Sequence, residues 1–307
     1  MFSITYFLMA LIAALLSYIL TPLTVPLCFG IGAVDRPDGK RKINSQEMPR
    51  LGGLAFFVSS MLLLLPFVSL SPAVAALLAS GSIIVAGGVA DDTFSLPPVA
   101  KLIIQGAAAL VAIAFIGIPN EFSFFGIIRI PLFGAIGFLF VIFRLIFTMN
   151  AVNFSDGLDG LASGLSSVAL ISLSVYGGVN GKTIPSAAAL ILSFAVIGFL
   201  PYNKYHAKIF MGDSGSQFLG LAIALLSLGN SPAGNYTLET SLFLAVPTLD
   251  TFISVIRRLA KGKSPFAADK GHLHHILLKL GVSHPNSVNL LIALSAVIAA
   301  VALCFIV

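Results

Sequence analysis

Long apolar runs, interrupted by short polar clusters, make up almost the whole chain. They occupy positions of about 3–29, 51–70, 73–90, 99–118, 132–149, 161–179, 184–200, 214–229, 238–256 and 287–307. Each lies near the roughly 20 residues an α-helix needs to cross the hydrocarbon core of a bilayer. The pattern therefore predicts ten transmembrane helices. The division between the second and third rests only on the prolines from Pro66 to Pro72. The first run, Ser3 to Cys28, is too long for a signal-peptide core and lacks a basic leader and a small-residue cleavage site, so we expect a retained helix. Residues 120–131 alternate weakly between apolar and polar, which predicts a small hairpin.

Composition narrows the class. Of 307 residues, 58% are hydrophobic and 9% charged, against about 45–50% and 25% in soluble domains. The expectation is an all-α polytopic integral membrane protein, a single domain over residues 1–307, embedded in lipid. A net charge of +5 spread over several short loops is no nucleic-acid footprint. Cys28 and Cys304 lie in distant apolar runs and suggest space filling, not a thiol site. With Trp absent, Tyr and Phe must supply the interfacial aromatics.

Charge also sets an orientation. Alternating crossings put Arg36, Lys40, Arg41, Lys42, Arg50, Lys101, Arg144, Lys204, Lys208, Arg257, Arg258, Lys261, Lys263, Lys270 and Lys279 on one side, counting those just inside helix ends. Only Arg129 and Lys182 fall on the other. The richer side is expected in the cytoplasm, with both termini outside.

Five polar clusters fall on that richer side, although the charge count did not require it. An ionised Asp in a membrane span costs about 3 kcal/mol unless something compensates it, so these acids demand an explanation. Asp91-Asp92 follows Gly87-Gly88 and precedes Leu96-Pro97-Pro98. Paired carboxylates suit a hard cation; the plainer alternative is a solvated helix end. Lys101 could reach back towards a phosphate or simply anchor its helix at the interface. Asn150, Asn153, Asp156 and Asp159 recur every third residue, which on a helix aligns them, with Gly157 and Gly160 leaving that face open to a ligand. Such an array of amides and carboxylates exceeds what a helix cap needs. It suits a cation or a nucleobase edge.

Gly212-Asp213-Ser214-Gly215-Ser216 opens an apolar run. Backbone N–H groups there would favour an anion, and Asp213 could hold its metal; the alternative is an ordinary N-cap. Phe210 could stack on a base or be a buried aromatic. His272-Leu-His274-His275 lies between Lys270 and Lys279. Its imidazoles could donate to phosphate, although a basic amphipathic helix on anionic lipid has the same composition. The absence of nearby Cys disfavours zinc. His206 and His284 stand alone as loop histidines. The basic run from Asp35 to Gly53, including Arg50, could grip a phosphate or serve only as an anchor. Arg257 and Arg258 carry the same ambiguity.

In this order, the clusters resemble the polyprenyl-phosphate N-acetylhexosamine-1-phosphate transferase superfamily, glycosyltransferase family 4. The matching segments are Pro49-Arg-Leu-Gly-Gly53, Asp91-Asp92-Thr-Phe-Ser-Leu96-Pro97, Asn150 to Ala162, Gly212-Asp213-Ser-Gly-Ser216, and Asp269-Lys-Gly-His272-Leu-His274-His275. Pro247-Thr-Leu-Asp250-Thr and the His-Leu-His-His form are similar to the GlcNAc-1-phosphate branch. Many relatives have His where this chain has Asn44.

The resemblance implies transfer of a sugar 1-phosphate from a UDP-sugar to undecaprenyl phosphate, with release of UMP. The setting would be the plasma (inner) membrane of a prokaryote, in cell-envelope synthesis such as lipopolysaccharide or teichoic acid. It implies Mg²⁺, with Mn²⁺ as a substitute, held by Asp213 with Asn153 as a second ligand. It assigns chemistry to Asp91, Asp92, Asp156, His272, His274 and His275. Substrate contacts fall to Arg50, Lys101, Asn150, Asp159, Phe210 and Arg258, with Asp159 and Phe210 at the uracil. A homodimer is one option for assembly. The alternatives are a translocase-type transferase of phospho-MurNAc-pentapeptide, a proton-coupled transporter and an intramembrane prenyltransferase. A transporter should place its acids near the bilayer midplane and often shows inverted repeats. Here the acids lie on one side and no repeat is visible. A prenyltransferase would use two similar Asp-rich motifs and leaves the histidines without a task.

Overall fold

A computed structural model describes residues 4–36, 47–124, 127–132, 134–229, 235–262, 264 and 271–306. Lys40, Arg41, Lys42, Asn44, Lys263, Asp269 and Lys270 lie outside the described residues. Helix α1 (Ile4–Ile31) leads through β1 (Val34–Asp35) and β2 (Met48–Pro49) into α2 (Gly52–Leu64). A 3-10 stretch, Leu65–Leu70, extends α2 before the chain straightens at Ser71 and re-enters helix with Pro72 in the first turn. That break divides the second and third apolar runs, where proline lacks the N–H to continue a ladder.

Helices α3 (Pro72–Phe94), α4 (Pro98–Ile116), α5 (Gly134–Ser155), α6 (Leu161–Val179), α7 (Thr183–Asn203) and α8 (Gly212–Gly229) follow. A 3-10 stretch Leu238–Leu244 then leads to α9 (Ala245–Ala260), the short α10 (Leu273–Lys279) and α11 (His284–Ile306). The anticipated hairpin exists: β3 (Glu121–Phe124) pairs antiparallel with β4 (Ile128–Pro131). A third strand, β5 (Asn235–Thr237), adds in parallel to β3 and was not foreseen.

Among the described residues, nine helical segments are long and apolar enough to cross a membrane. The remaining expected run, 214–229, forms α8, whose first turns hold Asp213, Ser214, Ser216 and Gln217. Those residues can be tolerated because α8 does not face lipid. Every residue from Gly212 to Ser227 is buried, and α2, α3, α5, α6 and α7 enclose the helix. By contrast, α1 exposes Leu8, Leu11, Leu15 and Ile19. It buries a stripe of small residues, Ala10, Ala13, Ser17, Thr21 and Thr24. Small residues let helices approach closely without a hydrophobic drive between them. Gly198 of α7 sits so near α1 that an added Cβ would lie 2.1 Å from the Ala14 carbonyl oxygen.

One position needs correction. Arg144 is not just inside a helix end. It lies at the middle of α5, buried, and its Nη1 donates to Thr148 Oγ1 at 2.9 Å. The Lys/Arg asymmetry survives its removal.

The loops that carry the polar clusters meet at one end of the bundle. The Arg50 N–H bonds to Ala33, and the Phe210 N–H bonds to Pro49. Gly88 packs on Ser214, and Gly157 packs on His274. These contacts join the α1–α2, α3–α4, α5–α6, α7–α8 and α9–α11 junctions. The sheet β4-β3-β5 connects elements at the opposite end, where α4, α5, α8 and α9 have their other termini.

Candidate active site

The site is assembled around the first turn of α8. Helix N-termini expose N–H groups that need acceptors. Here the acceptor is the Asp92 carboxylate from α3: Oδ1 accepts from the Asp213 N–H at 3.0 Å and Oδ2 from the Ser214 N–H at 3.1 Å. The expectation that these N–H groups would bind a ligand anion is therefore corrected, because a protein carboxylate already satisfies both. Glycine makes the approach possible. A Cβ on Gly88 would lie 2.3 Å from Ser214 Cα, and one on Gly53 would lie 2.4 Å from Gly215 Cα.

Asp213 is held by cations and amides. Lys101 Nζ donates to its Oδ2 at 2.9 Å and also pairs with Asp91 Oδ2. Arg50 Nη2 lies 3.8 Å from Asp213 Oδ1 and 3.4 Å from Asp92 Oδ1. Asn153 Nδ2 donates to Asp213 Oδ1 at 3.1 Å, and Gln217 Nε2 donates to Oδ2 at 3.0 Å. A buried carboxylate is costly unless it is paired and hydrogen-bonded, and these groups compensate it. Asp91 is fixed further by the Leu96 N–H at 2.7 Å. The carboxylates of α3 and α8 and the cations of α4 and the β2–α2 junction thus form one charged centre.

Behind it runs a chain of amides. Asn150 Nδ2 donates to Gln105 Oε1 at 2.9 Å, and Gln105 Nε2 donates to Gln217 Oε1 at 3.0 Å. Gln217 completes the path to Asp213. Gln105 and Gln217 lie outside the five polar clusters. The available signal was a glutamine inside an apolar span, which rarely faces lipid.

The three-residue spacing from Asn150 holds only in part. Helix α5 ends at Ser155, and the Asp156 N–H closes onto the Asn153 carbonyl at 3.1 Å. Asp156 remains electrostatically close to the charged centre. Burial first, then the carboxylates of Asp213 and Asp92, hold its carboxyl well above the usual range. Asp159 leaves the shared face. Its Oδ2 accepts from the Ala207 N–H at 3.1 Å. Nor do the glycines leave that face open. The space beside Gly157 is filled by the His274 ring, which a Cβ would meet at 2.5 Å. Gly160 takes a positive φ of 78° at the start of α6.

A second cluster lies across the end of α5. Asp250 of α9 bonds His272 Nδ1 through Oδ2 at 2.8 Å and accepts the Leu273 N–H on Oδ1 at 2.9 Å. Arg258 Nη2 contacts His272 Nε2 at 3.1 Å. A guanidinium can only donate, so Nε2 accepts and the ring proton sits on Nδ1, facing Asp250. The expected donation from His272 to a phosphate therefore requires Arg258 to leave Nε2. Phe154 touches both partners, 5.6 Å from the His272 ring and 5.4 Å from the Arg258 guanidinium. His274 stacks over His272 and contacts His275. Burial, then His275 and His272, lower its pKa to about 4, so it is neutral near pH 7. The end of α5 thus presents Asn153 to the charged centre, and Phe154 and Gly157 to the histidines.

Phe210 is half-buried, two residues before α8, with its N–H on the Pro49 carbonyl at 2.8 Å. His206 and His284 do not stand alone. Tyr205 lies 4.1 Å from the His206 ring and 4.7 Å from the His284 ring.

The chain is similar to known proteins along most of its length. The profile of "Glycosyl transferase family 4" matches residues 74–230, the segment that holds Asp91, Lys101, Asn153 and Asp213. The chain is 35% identical over 290 residues to a "Probable undecaprenyl-phosphate N-acetylglucosaminyl 1-phosphate transferase" of Bacillus subtilis, covering 91% of this chain and 79% of the relative. It is 33% identical over 320 residues to the "Decaprenyl-phosphate N-acetylglucosaminephosphotransferase" of Mycolicibacterium smegmatis, covering 92% and 78%. Identity is 27% over 282 residues to the "Undecaprenyl-phosphate alpha-N-acetylglucosaminyl 1-phosphate transferase" of Escherichia coli K12, covering 88% and 76%.

Proposed function

The chain belongs to glycosyl transferase family 4, and from that membership we propose that it transfers N-acetylglucosamine 1-phosphate from UDP-GlcNAc to undecaprenyl phosphate, giving the lipid pyrophosphate sugar and UMP. One observation carries the reading. Three carboxylates and two cations, Asp91, Asp92, Asp213, Lys101 and Arg50, converge at one end of an apolar bundle. A membrane-held phosphate and a soluble nucleotide sugar can meet there.

The acceptor needs little activation. A phosphate monoester has a second pKa near 6, so the lipid phosphate is mostly dianionic at neutral pH. One of its oxygens attacks the donor's β-phosphorus. The bond from that phosphorus to the bridging oxygen breaks, and UMP leaves with the electron pair. Lys101 and Arg50 receive phosphate charge, and fixed cations stabilise charge as it develops. Direct displacement is favoured over a covalent aspartyl intermediate. Both Asp92 oxygens hold backbone N–H groups, while Asp91 is tied to Leu96 and Lys101. Displacement predicts inversion at the β-phosphorus of a chiral-phosphate donor, and retention would favour the covalent route.

Magnesium is part of this proposal. The Asp213 carboxylate suits a hard cation, and Asn153, whose Nδ2 here donates to Asp213 Oδ1, would turn its amide to offer the carbonyl oxygen as a second ligand. Among the described residues, no group of three or more His, Cys, Asp or Glu is gathered as a metal cage. Mg²⁺ needs none, since it takes one or two carboxylates and completes its shell with water and substrate phosphates. Asp213 and Asn153 would hold the ion, which when bound would neutralise the diphosphate and stabilise the leaving group; Mn²⁺ would substitute. Lys101 is then free to turn from Asp213 to a phosphate. The Lys/Arg asymmetry supports a cytoplasmic site in the plasma membrane.

The test is to incubate membranes containing the protein with labelled UDP-GlcNAc, Mg²⁺ and undecaprenyl phosphate. Labelled lipid and stoichiometric UMP are expected. Intact protein that labels no lipid from any of several UDP-sugars would reject the transferase.

A further inference from the structure

We infer that His284 is a positioning residue for the donor nucleobase and acts through Asp159. This rests on the reading above, in which Asp159 and Phe210 meet the uracil. Three contacts support it. The Asp159 N–H donates to His284 Nε2 at 3.3 Å. The His284 ring lies against Tyr205, 4.7 Å between centroids. Two residues beyond Tyr205, the Ala207 N–H donates to Asp159 Oδ2.

His284, at the start of α11, therefore joins two segments that nothing in the sequence places together. One is the turn between α5 and α6, which carries Asp159. The other is the segment 204–211, which runs on to Phe210 and is pinned by Asn203 Nδ2 on the Ile209 carbonyl at 3.2 Å. With Oδ2 committed to Ala207, Oδ1 is the oxygen left to accept the imide N–H of uracil. The relative placement of that oxygen and the Phe210 ring depends on the two segments staying in register. His284 Nδ1 is buried and has no hydrogen-bond partner among the described residues. The bond to Asp159 is thus the polar contact that orients the ring. Since Nε2 accepts, Nδ1 carries the proton.

A positioning role for the base separates the two substrates. His284→Ala removes the acceptor, while His284→Gln returns an oxygen at about the reach of Nε2. In membranes with undecaprenyl phosphate and UDP-GlcNAc, His284→Ala should raise the donor KM and the inhibition constant of UMP together, by about tenfold. That is the usual scale for one buried hydrogen bond. The acceptor KM and kcat should stay within about twofold of the parent, and His284→Gln should restore the donor KM to within about threefold. A merely structural histidine would instead lower the protein level or kcat, or move both KM values, and any of these results overturns the proposal. If the Ala variant fails to insert, His284→Met against His284→Gln makes the same comparison. Asp159→Asn separates the two layers. If it raises the donor KM and the UMP constant while the His284 variants do not, the positioning role fails alone. If it leaves both unchanged, the reading of Asp159 fails and takes this inference with it.

Discussion

The Asp92 carboxylate on α3 caps the helix that carries Asp213, accepting the N–H groups of Asp213 and Ser214 with separate oxygens. Two acids that look equivalent in sequence therefore differ in role. Asp91 faces Lys101 in the charged centre, whereas Asp92 holds the centre's helix in place. Losing a capping acceptor costs about 0.5–2 kcal/mol. Asp92→Ala should lower the melting temperature in detergent and cut transfer by at least about a hundredfold. Asp91→Ala should cut transfer with a smaller thermal effect. Equal melting shifts in the two variants would contradict this division.

Close backbone approach at Gly88 makes a second prediction. An added methyl there meets the Ser214 backbone, which cannot give way without moving Asp213. Overpacking of this kind costs about 1–3 kcal/mol. Gly88→Ala should lower both stability and activity. Gly106→Ala on α4, where an added Cβ has nothing within 4 Å, should leave both unchanged. Melting curves and labelled-lipid rates for the pair check this.

The amide chain supplies a third. Gln217→Leu keeps most of the volume but removes a donor to Asp213 and strands Gln105. A hydrogen bond to a charged group is worth about 1.5–3 kcal/mol, so transfer should fall roughly 10- to 100-fold. Wild-type rates in this variant would show that Gln217 does not support Asp213.

His274 makes a prediction about pH. Its folded pKa of about 4 lies below the ordinary imidazole value of 6.5. Between these values the unfolded chain binds more protons, so stability rises with pH across the window and is lost as pH falls from about 6.5 towards 4. His274→Gln removes this term. Its melting temperature should fall less steeply than the parent's from pH 6.5 to 4, and parallel curves would contradict the buried neutral imidazole.

Much of this was legible in the sequence. Apolar runs of spanning length give the helices, and acids too costly for lipid mark the site. Asp91, Lys101, Asn153 and Asp213 meet as their motifs suggest. What could not be read is partner choice. Nothing local tells Asp92 to seek the N–H groups of Asp213 and Ser214, 121 and 122 residues away. Nothing local sends Asp159 to Ala207 and His284 when its three-residue spacing from Asp156 suggests a common face. That spacing assumes a helix continues, and α5 stops at Ser155. His274 fills the space beside Gly157 because α9 and α10 fold back over the end of α5, a long-range packing event.

The central claim is that Asp213 is the chemical centre of this bundle. The initial rate of labelled undecaprenyl-pyrophosphate-GlcNAc formation by Asp213→Ala, at matched protein in membranes, tests it most directly. Lys182→Ala, altered at the start of α7 on the opposite face, serves as control. We predict that Asp213→Ala loses at least about a thousandfold while Lys182→Ala keeps the parent rate. An Asp213→Ala rate within threefold of the parent would contradict the account.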